Sequence, residues 1–166
     1  MKNTLVLYYT WSNGNTERVA RRLADACGAD IERIRTTEPY PEDYDQTVEQ
    51  GKREVEEGAR PSIEPLGHDP ADYDVVAVGT PTWWYTMAPA VSTLLGQEDL
   101  AGKLLVPFMT NAGWPGSVIE DMVETAPDAT AIEPMEVRFA SDGGSRMVTG
   151  EDELEAWVGR VARLVR

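Results

Sequence analysis

The run Leu5-Val-Leu-Tyr-Tyr9 leads straight into Thr10-Trp-Ser-Asn-Gly-Asn-Thr16. The first five residues are unbroken apolar and aromatic, which reads as a strand buried on both faces. The next seven are mostly polar and contain Gly14. From Asn15 a helix is expected: Val19, Leu23 and Cys27 recur every fourth residue, Ala20 and Ala24 widen that face, and Gly28 stands where a C-terminal cap belongs. Strand, polar loop and amphipathic helix in this order make the first unit of an alternating α/β chain.

The same alternation continues. Ile31–Ile34 reads as a second strand and Pro41–Gly58 as a helix, with Tyr44, Val48 and Val55 on one face. Val75–Gly79 is a third strand, Pro81–Ala88 a loop and Pro89–Leu95 a helix. Lys103–Met109 is a fourth strand and Thr110–Gly116 a loop. Ser117 and Glu120 have the spacing of a capping box at the start of the next helix, which Pro127 closes. Thr130–Val137 is the last strand. After a loop turning at Asp142-Gly143-Gly144, Thr149 and Asp152 repeat the capping pattern before a final helix striped with Leu154, Trp157, Val158, Val161 and Val165. Five strand–helix repeats argue for an α/β fold with a parallel sheet covered on both faces. The 166 residues suit one domain spanning 1–166.

Composition narrows the function. Fifteen Lys and Arg against 29 Asp and Glu leave a net charge of −14, which disfavours nucleic acid and anionic membrane surfaces. Residues 36–74 alone hold 12 acids and 3 bases. That surface is either a salt-adapted, high-GC composition or a face that attracts a basic partner. One cysteine and one histidine exclude a disulfide within the chain, a multi-His zinc site and a cysteine-ligated cluster. No metal site is expected. No apolar run is long enough to span a membrane and no signal peptide is apparent, so the expected location is cytoplasmic.

In a parallel sheet ligands bind outside the C-terminal strand ends, so the loops after strands one, three and four are the candidates for chemistry. In the first, Thr10, Ser12 and Thr16 bring hydroxyls and Asn13 and Asn15 bring amides, while Trp11 and Gly14 complete it. It opens a helix whose N–H groups suit a phosphate. Neither a triphosphate nor a dinucleotide glycine motif is present. The loop holds a monophosphate with neutral donors, or is a capped helix that binds nothing. The second carries Pro81, Thr82 and the consecutive aromatics Trp83, Trp84 and Tyr85, surfaces on which a flat conjugated ligand can stack. In the third, Thr110 and Asn111 can bond a heterocycle edge, Gly113 and Gly116 allow close backbone approach, and Ala112 lies between Asn111 and Gly113 in the loop. Trp114 faces either a ligand or the protein surface. No side chain in the three loops reads as a catalytic acid or base, and His68, beside Asp69, reads as a solvated loop residue. Cys27 and Arg33 have the spacing of a low-molecular-weight phosphatase loop, but Cys27 ends a helix on its apolar stripe, where no thiolate would form.

These motifs resemble those of flavodoxin-like FMN proteins. Their phosphate loop, T/S-x-S/T-G-N-T, is similar to Thr10–Thr16 here, with Asn13 as one extra residue. Pro81-Thr-Trp-Trp84 resembles the P-x-W-W segment of some members, and Thr110–Gly113 their short T-x-x-G segment. Pro39–Tyr44 and Gly58–Pro61 are also family-like. The resemblance implies a three-layer fold with a five-stranded parallel sheet in the order 2-1-3-4-5. It also implies FMN held by residues 10–16, 81–85 and 110–113. Many flavodoxins have a glycine beside the reactive nitrogen of the flavin; here that place falls to Trp84 or Tyr85. The implied role is an electron carrier between redox partner proteins, with a basic docking face on the partner. The alternative is an FMN-dependent NAD(P)H:quinone oxidoreductase. Neutral donors and an acidic chain would give bound FMN a low reduction potential.

Overall fold

The computed structural model describes residues 1–11 and 13–166. The chain runs through β1 (Thr4–Tyr8), α1 (Asn15–Cys27), β2 (Asp30–Arg33), α2 (Tyr44–Glu57), β3 (Val75–Trp83), β4 (Thr86–Met87), α3 (Pro89–Gln97), β5 (Leu104–Asn111), α4 (Val118–Thr125), β6 (Thr130–Ala131), β7 (Met135–Arg138) and α5 (Glu151–Val165). The sheet order is β2-β1-β3-β5-β6, with β7 also paired to β5 and β4 paired to β3. Among these strands the pairings are parallel except in the β3–β4 hairpin. The expected order of five positions stands, with two differences of detail.

The first is at the last position, where one strand was expected over Thr130–Val137. β6 pairs with Leu104 and Leu105, β7 with Phe108 through Asn111, and the chain between them leaves the ladder. Glu133 there has φ +47°, and Pro134 has no N–H to donate. The Glu133 carbonyl instead accepts the indole N–H of Trp157, at 2.8 Å. The second difference is at Pro81–Ala88, expected as a loop. β3 extends through Trp83, and the chain turns back at Trp84-Tyr85 so that Thr82 faces Met87 and Trp83 faces Thr86.

Strand alternation fills two cores. Leu5, Leu7 and Tyr9 point to the face covered by α3 and α4, while Val6 and Tyr8 point to the face covered by α1 and α5. Both faces of β1 are therefore dry, which is why its sequence is continuously apolar. On the α5 side Phe108 packs on Trp157 with ring centres 5.7 Å apart. Gly79 opposite has no room for a Cβ beside the Phe108 ring. Helix ends differ in detail from the sequence expectation. Asp43 caps α2 by accepting the Gln46 N–H at 2.9 Å, so the helix starts at Tyr44, three residues past Pro41. Ser117 does not form the expected capping box; its hydroxyl donates to Asp121 at 2.7 Å. Thr149 accepts the Arg138 N–H, and Gly150 takes the cap position of α5. No helix among the described residues is long and apolar enough to cross a membrane.

Candidate functional site

The chain leaves β1 toward β2 on one side and returns to β3 on the other, so the loops at these strand ends diverge and leave a crevice. A cavity of about 310 Å³ lies there, within the range of small-molecule sites. It is lined by Thr10, Trp11, Asn13, Asn15 and Thr16 of the first loop, Pro81, Thr82, Trp83 and Trp84 of the second, and Thr110, Asn111 and Ala112 of the third. Three of the expected residues stand outside the lining. Gly14 forms the N-cap of α1, Tyr85 projects into solvent at the hairpin tip and Gly113 donates its N–H to Asn111 Oδ1 at 2.7 Å. Ser12 lies outside the described residues.

At the α1 end the backbone does most of the work. Gly14 sits at φ +71°, a conformation that costs a glycine little, and it brings no side chain to cap the helix. The first N–H groups of α1 therefore face the cavity with their positive dipole end. Thr16, almost fully buried, shares a hydrogen bond with Thr110 across 2.7 Å, tying the first loop to the third. The Arg33 guanidinium donates to the Thr10 carbonyl at 3.1 Å. Both asparagine amides are engaged by the loop after β7: Asn13 donates to the Gly143 carbonyl, and Asn15 to the Gly144 carbonyl at 3.2 Å. Arg18 adds a bond to the Ser145 carbonyl at 3.1 Å. With its amide nitrogen fixed in this way, Asn15 leaves Oδ1 buried and without a donor.

At the other end the walls are aromatic. Trp83 sits in a cluster of rings, 5.0 Å from Tyr40, 5.9 Å from Tyr9 and 6.3 Å from Trp11, all edge-on. Gly51 of α2 lets that ring approach: a Cβ there would stand 2.9 Å from it. Trp11 leans on Tyr44 at 5.5 Å. Burial pushes the phenols of Tyr9 and Tyr40 well above their ordinary range, and the bond from Tyr40 to Glu54 adds to it, so the cluster stays neutral. Among the described lining residues there is no Asp, Glu, Lys or Arg, and Tyr44 is the one ionisable side chain. The nearby cations stand at the rim. Lys52 lies 5.5 Å from the centre of the Trp84 ring, and the Arg138 guanidinium rests against Gly113.

Eight lining residues come from elsewhere: Tyr44, Thr47, Val48 and Gly51 of α2, and Phe139, Ala140, Gly143 and Gly144 after β7. The strand-end rule applied to the fifth strand would have found the second group. Cys27 is buried and burial raises its thiol pKa, as its place on the apolar stripe of α1 requires. His68 is not merely solvated; its ring bonds Glu32 at 2.7 Å.

A family model described as flavodoxin matches residues 3–161. The chain belongs to the flavodoxin family. Solved structures agree in fold. A Bacteroides eggerthii protein assigned to the flavoproteins is 28% identical over 98% of this chain and 99% of its own, with a TM-score of 0.76. A Lactobacillus acidophilus flavoprotein crystallised with FMN is 23% identical over 95% of this chain and 99% of its own, at 0.73. Oxidised Flavodoxin 1 from Bacillus cereus is 18% identical over 98% and 97%, at 0.60. No curated protein matches the sequence. The cavity of this flavodoxin fits the cofactor that the family implies on three counts. The orphaned Asn15 oxygen needs a hydroxyl donor, which a ribityl chain has. The α1 N-terminus suits a phosphate, and the ring-lined end suits a flat conjugated group.

Proposed function

We propose that this flavodoxin binds FMN in the cavity at the ends of β1, β3 and β5 and carries electrons between redox partner proteins. The observation that carries this reading is the cavity's composition. A helix N-terminus with buried hydroxyls and the orphaned Asn15 acceptor stands at one end, and uncharged aromatic walls stand at the other. The α1 N–H groups with Thr10 and Thr16 would take the phosphate. Asn15 would take a ribityl hydroxyl. Trp11, Tyr44 and Trp84 on one side and Asn111 and Ala112 on the other would bracket the ring. FMN supplies the redox chemistry; these residues orient it and exclude water.

A carrier is favoured over an NAD(P)H:quinone oxidoreductase because reducing a quinone takes protons as well as electrons. Among the described lining residues there is no Asp, Glu, Lys, Arg or His to relay a proton. The rim supports docking instead: Trp84, Tyr85 and Trp114 are 41%, 57% and 56% exposed. The acidic residues 36–74 include α2, one wall of the cavity. A partner with a basic face would be steered there, with the charge raising its encounter rate more than its affinity. The buried, unpaired Cys27 is in keeping with a cytoplasmic carrier.

The test is a titration of apo-protein with FMN and with riboflavin, followed by NADPH and a quinone without oxygen. One-to-one quenching of flavin fluorescence, tighter for FMN, with slow NADPH oxidation is expected. Rapid turnover would make the protein a reductase, and absence of quenching would remove the cofactor reading.

A further inference from the structure

Trp84 and Tyr85 form the two-residue turn between β3 and β4, and their φ values are +50° and +67°. Such turns match the twist of the strands, but the residues that suit them are glycine, asparagine and aspartate. Two bulky aromatic residues in this conformation are strained, and the strain persists where the surroundings hold it.

The surroundings are specific. The Tyr85 carbonyl accepts the Ser117 N–H at 2.9 Å. Gly116 makes that approach feasible, because a Cβ there would overlap the same carbonyl. Asp121, in the first turn of α4, receives the Ser117 hydroxyl at 2.7 Å and the Thr86 hydroxyl at 2.5 Å on one oxygen. From the other side Trp84 donates its indole N–H to the Val48 carbonyl of α2 at 3.0 Å. The turn is thus held by α4 and α2 together, and Trp84 becomes a cavity wall. Asp121 itself does not line the cavity.

We propose that Asp121 is a positioning residue for the FMN cavity: through Ser117 and Thr86 it holds the strained Trp84–Tyr85 turn and so fixes the Trp84 wall. This rests on the FMN reading above.

The experiment compares wild type, Asp121→Ala and the double variant Asp121→Ala/Tyr85→Gly. It measures FMN dissociation constants and the visible absorption of bound flavin, with circular dichroism to confirm folding. Asp121→Ala should bind FMN about tenfold more weakly and shift the flavin band. Glycine tolerates positive φ, so Tyr85→Gly in that background should restore most of the affinity. Wild type that does not bind FMN overturns the proposed function instead. Wild type that binds, with Asp121→Ala unchanged in affinity and spectrum, overturns the positioning role. A loss that glycine fails to recover also overturns it, since the carboxylate would then serve the fold alone. If Asp121→Ala does not fold, Thr86→Val removes one hydroxyl from the clamp. A severalfold loss recovered by Tyr85→Gly then supports the role, and no loss overturns it.

Discussion

Gly14 and Tyr85 have nearly the same backbone φ, +71° and +67°, at opposite ends of one cavity. At the α1 end it is backbone N–H groups that face the cavity. Glycine takes the left-handed turn without strain and leaves the helix N–H groups open. At the hairpin end the wall is made by side chains, and the turn that presents them has no glycine. The chain holds that turn with Ser117 and Asp121 on one side and Val48 on the other. The left-handed turn that leaves the N–H groups open is local, while distant residues brace the side chains around it. Where the chemistry needs a ring surface in a particular place, distant residues must hold it.

The largest effect should come from Trp83→Ala. Half-buried Trp83 carries contacts to Tyr9, Tyr40 and Trp11, so its loss should cost about 3 kcal/mol in folding free energy, measured by urea unfolding. FMN binding should weaken by less, about 1–2 kcal/mol. Stability equal to wild type would show that the hairpin end is not anchored through this ring. Thr16→Ala comes next. It leaves the buried Thr110 hydroxyl without its partner, at a cost of about 1–2 kcal/mol in stability. It should loosen FMN more than riboflavin; an equal loss for both would detach the phosphate from this end.

Tyr85→Gly and Gly14→Ala then test the comparison directly, because they are opposite changes at the same φ. Tyr85→Gly should stabilise the chain by up to about 1 kcal/mol, and Gly14→Ala should destabilise it by about as much, read as shifts of the thermal midpoint. If both destabilise, the hairpin turn is not strained, and the role given to Asp121 loses its cause.

The α1 end was legible because its signals are local. The apolar run of β1, the stripe of Val19, Leu23 and Cys27, and the polar loop between them lie within one stretch of chain. The order of the five sheet positions followed from the family resemblance. The hairpin was hidden because its turn lacks the Asn-Gly or Asp-Gly that announces a two-residue connection. The break between β6 and β7 depends on Glu133 holding φ +47° while its carbonyl serves Trp157, a contact across 24 positions. The α2 wall was missed because Gly51 matters only once Trp83 is packed against it. Arg138 escaped notice because it reaches the third loop from a neighbouring strand, where Asn111 pairs with it in register.

The smallest effect should come from a place at neither end, and that makes it the control. Glu32 on the edge strand β2 accepts the Gly67 N–H at 2.8 Å, the His68 N–H at 2.9 Å and the His68 ring at 2.7 Å. Burial pushes its pKa up, but the His68 ring and the two amides outweigh burial, and the net shift is downward. The unfolded chain therefore binds this proton more tightly than the folded one. The stabilisation is complete above the ordinary carboxylate range and is lost as pH falls through the lowered folded value. His68 is partly exposed, so the contribution should be below about 1 kcal/mol. Glu32→Gln should flatten the acid limb of the stability profile and leave FMN affinity unchanged. A change in FMN affinity would mean that the β2 edge is coupled to the cavity, most directly through Arg33, the next residue, whose guanidinium donates to the Thr10 carbonyl. The Gly14 turn would then depend on distant residues for its geometry as the hairpin turn does, and the contrast between an unstrained local turn and a clamped one would fail.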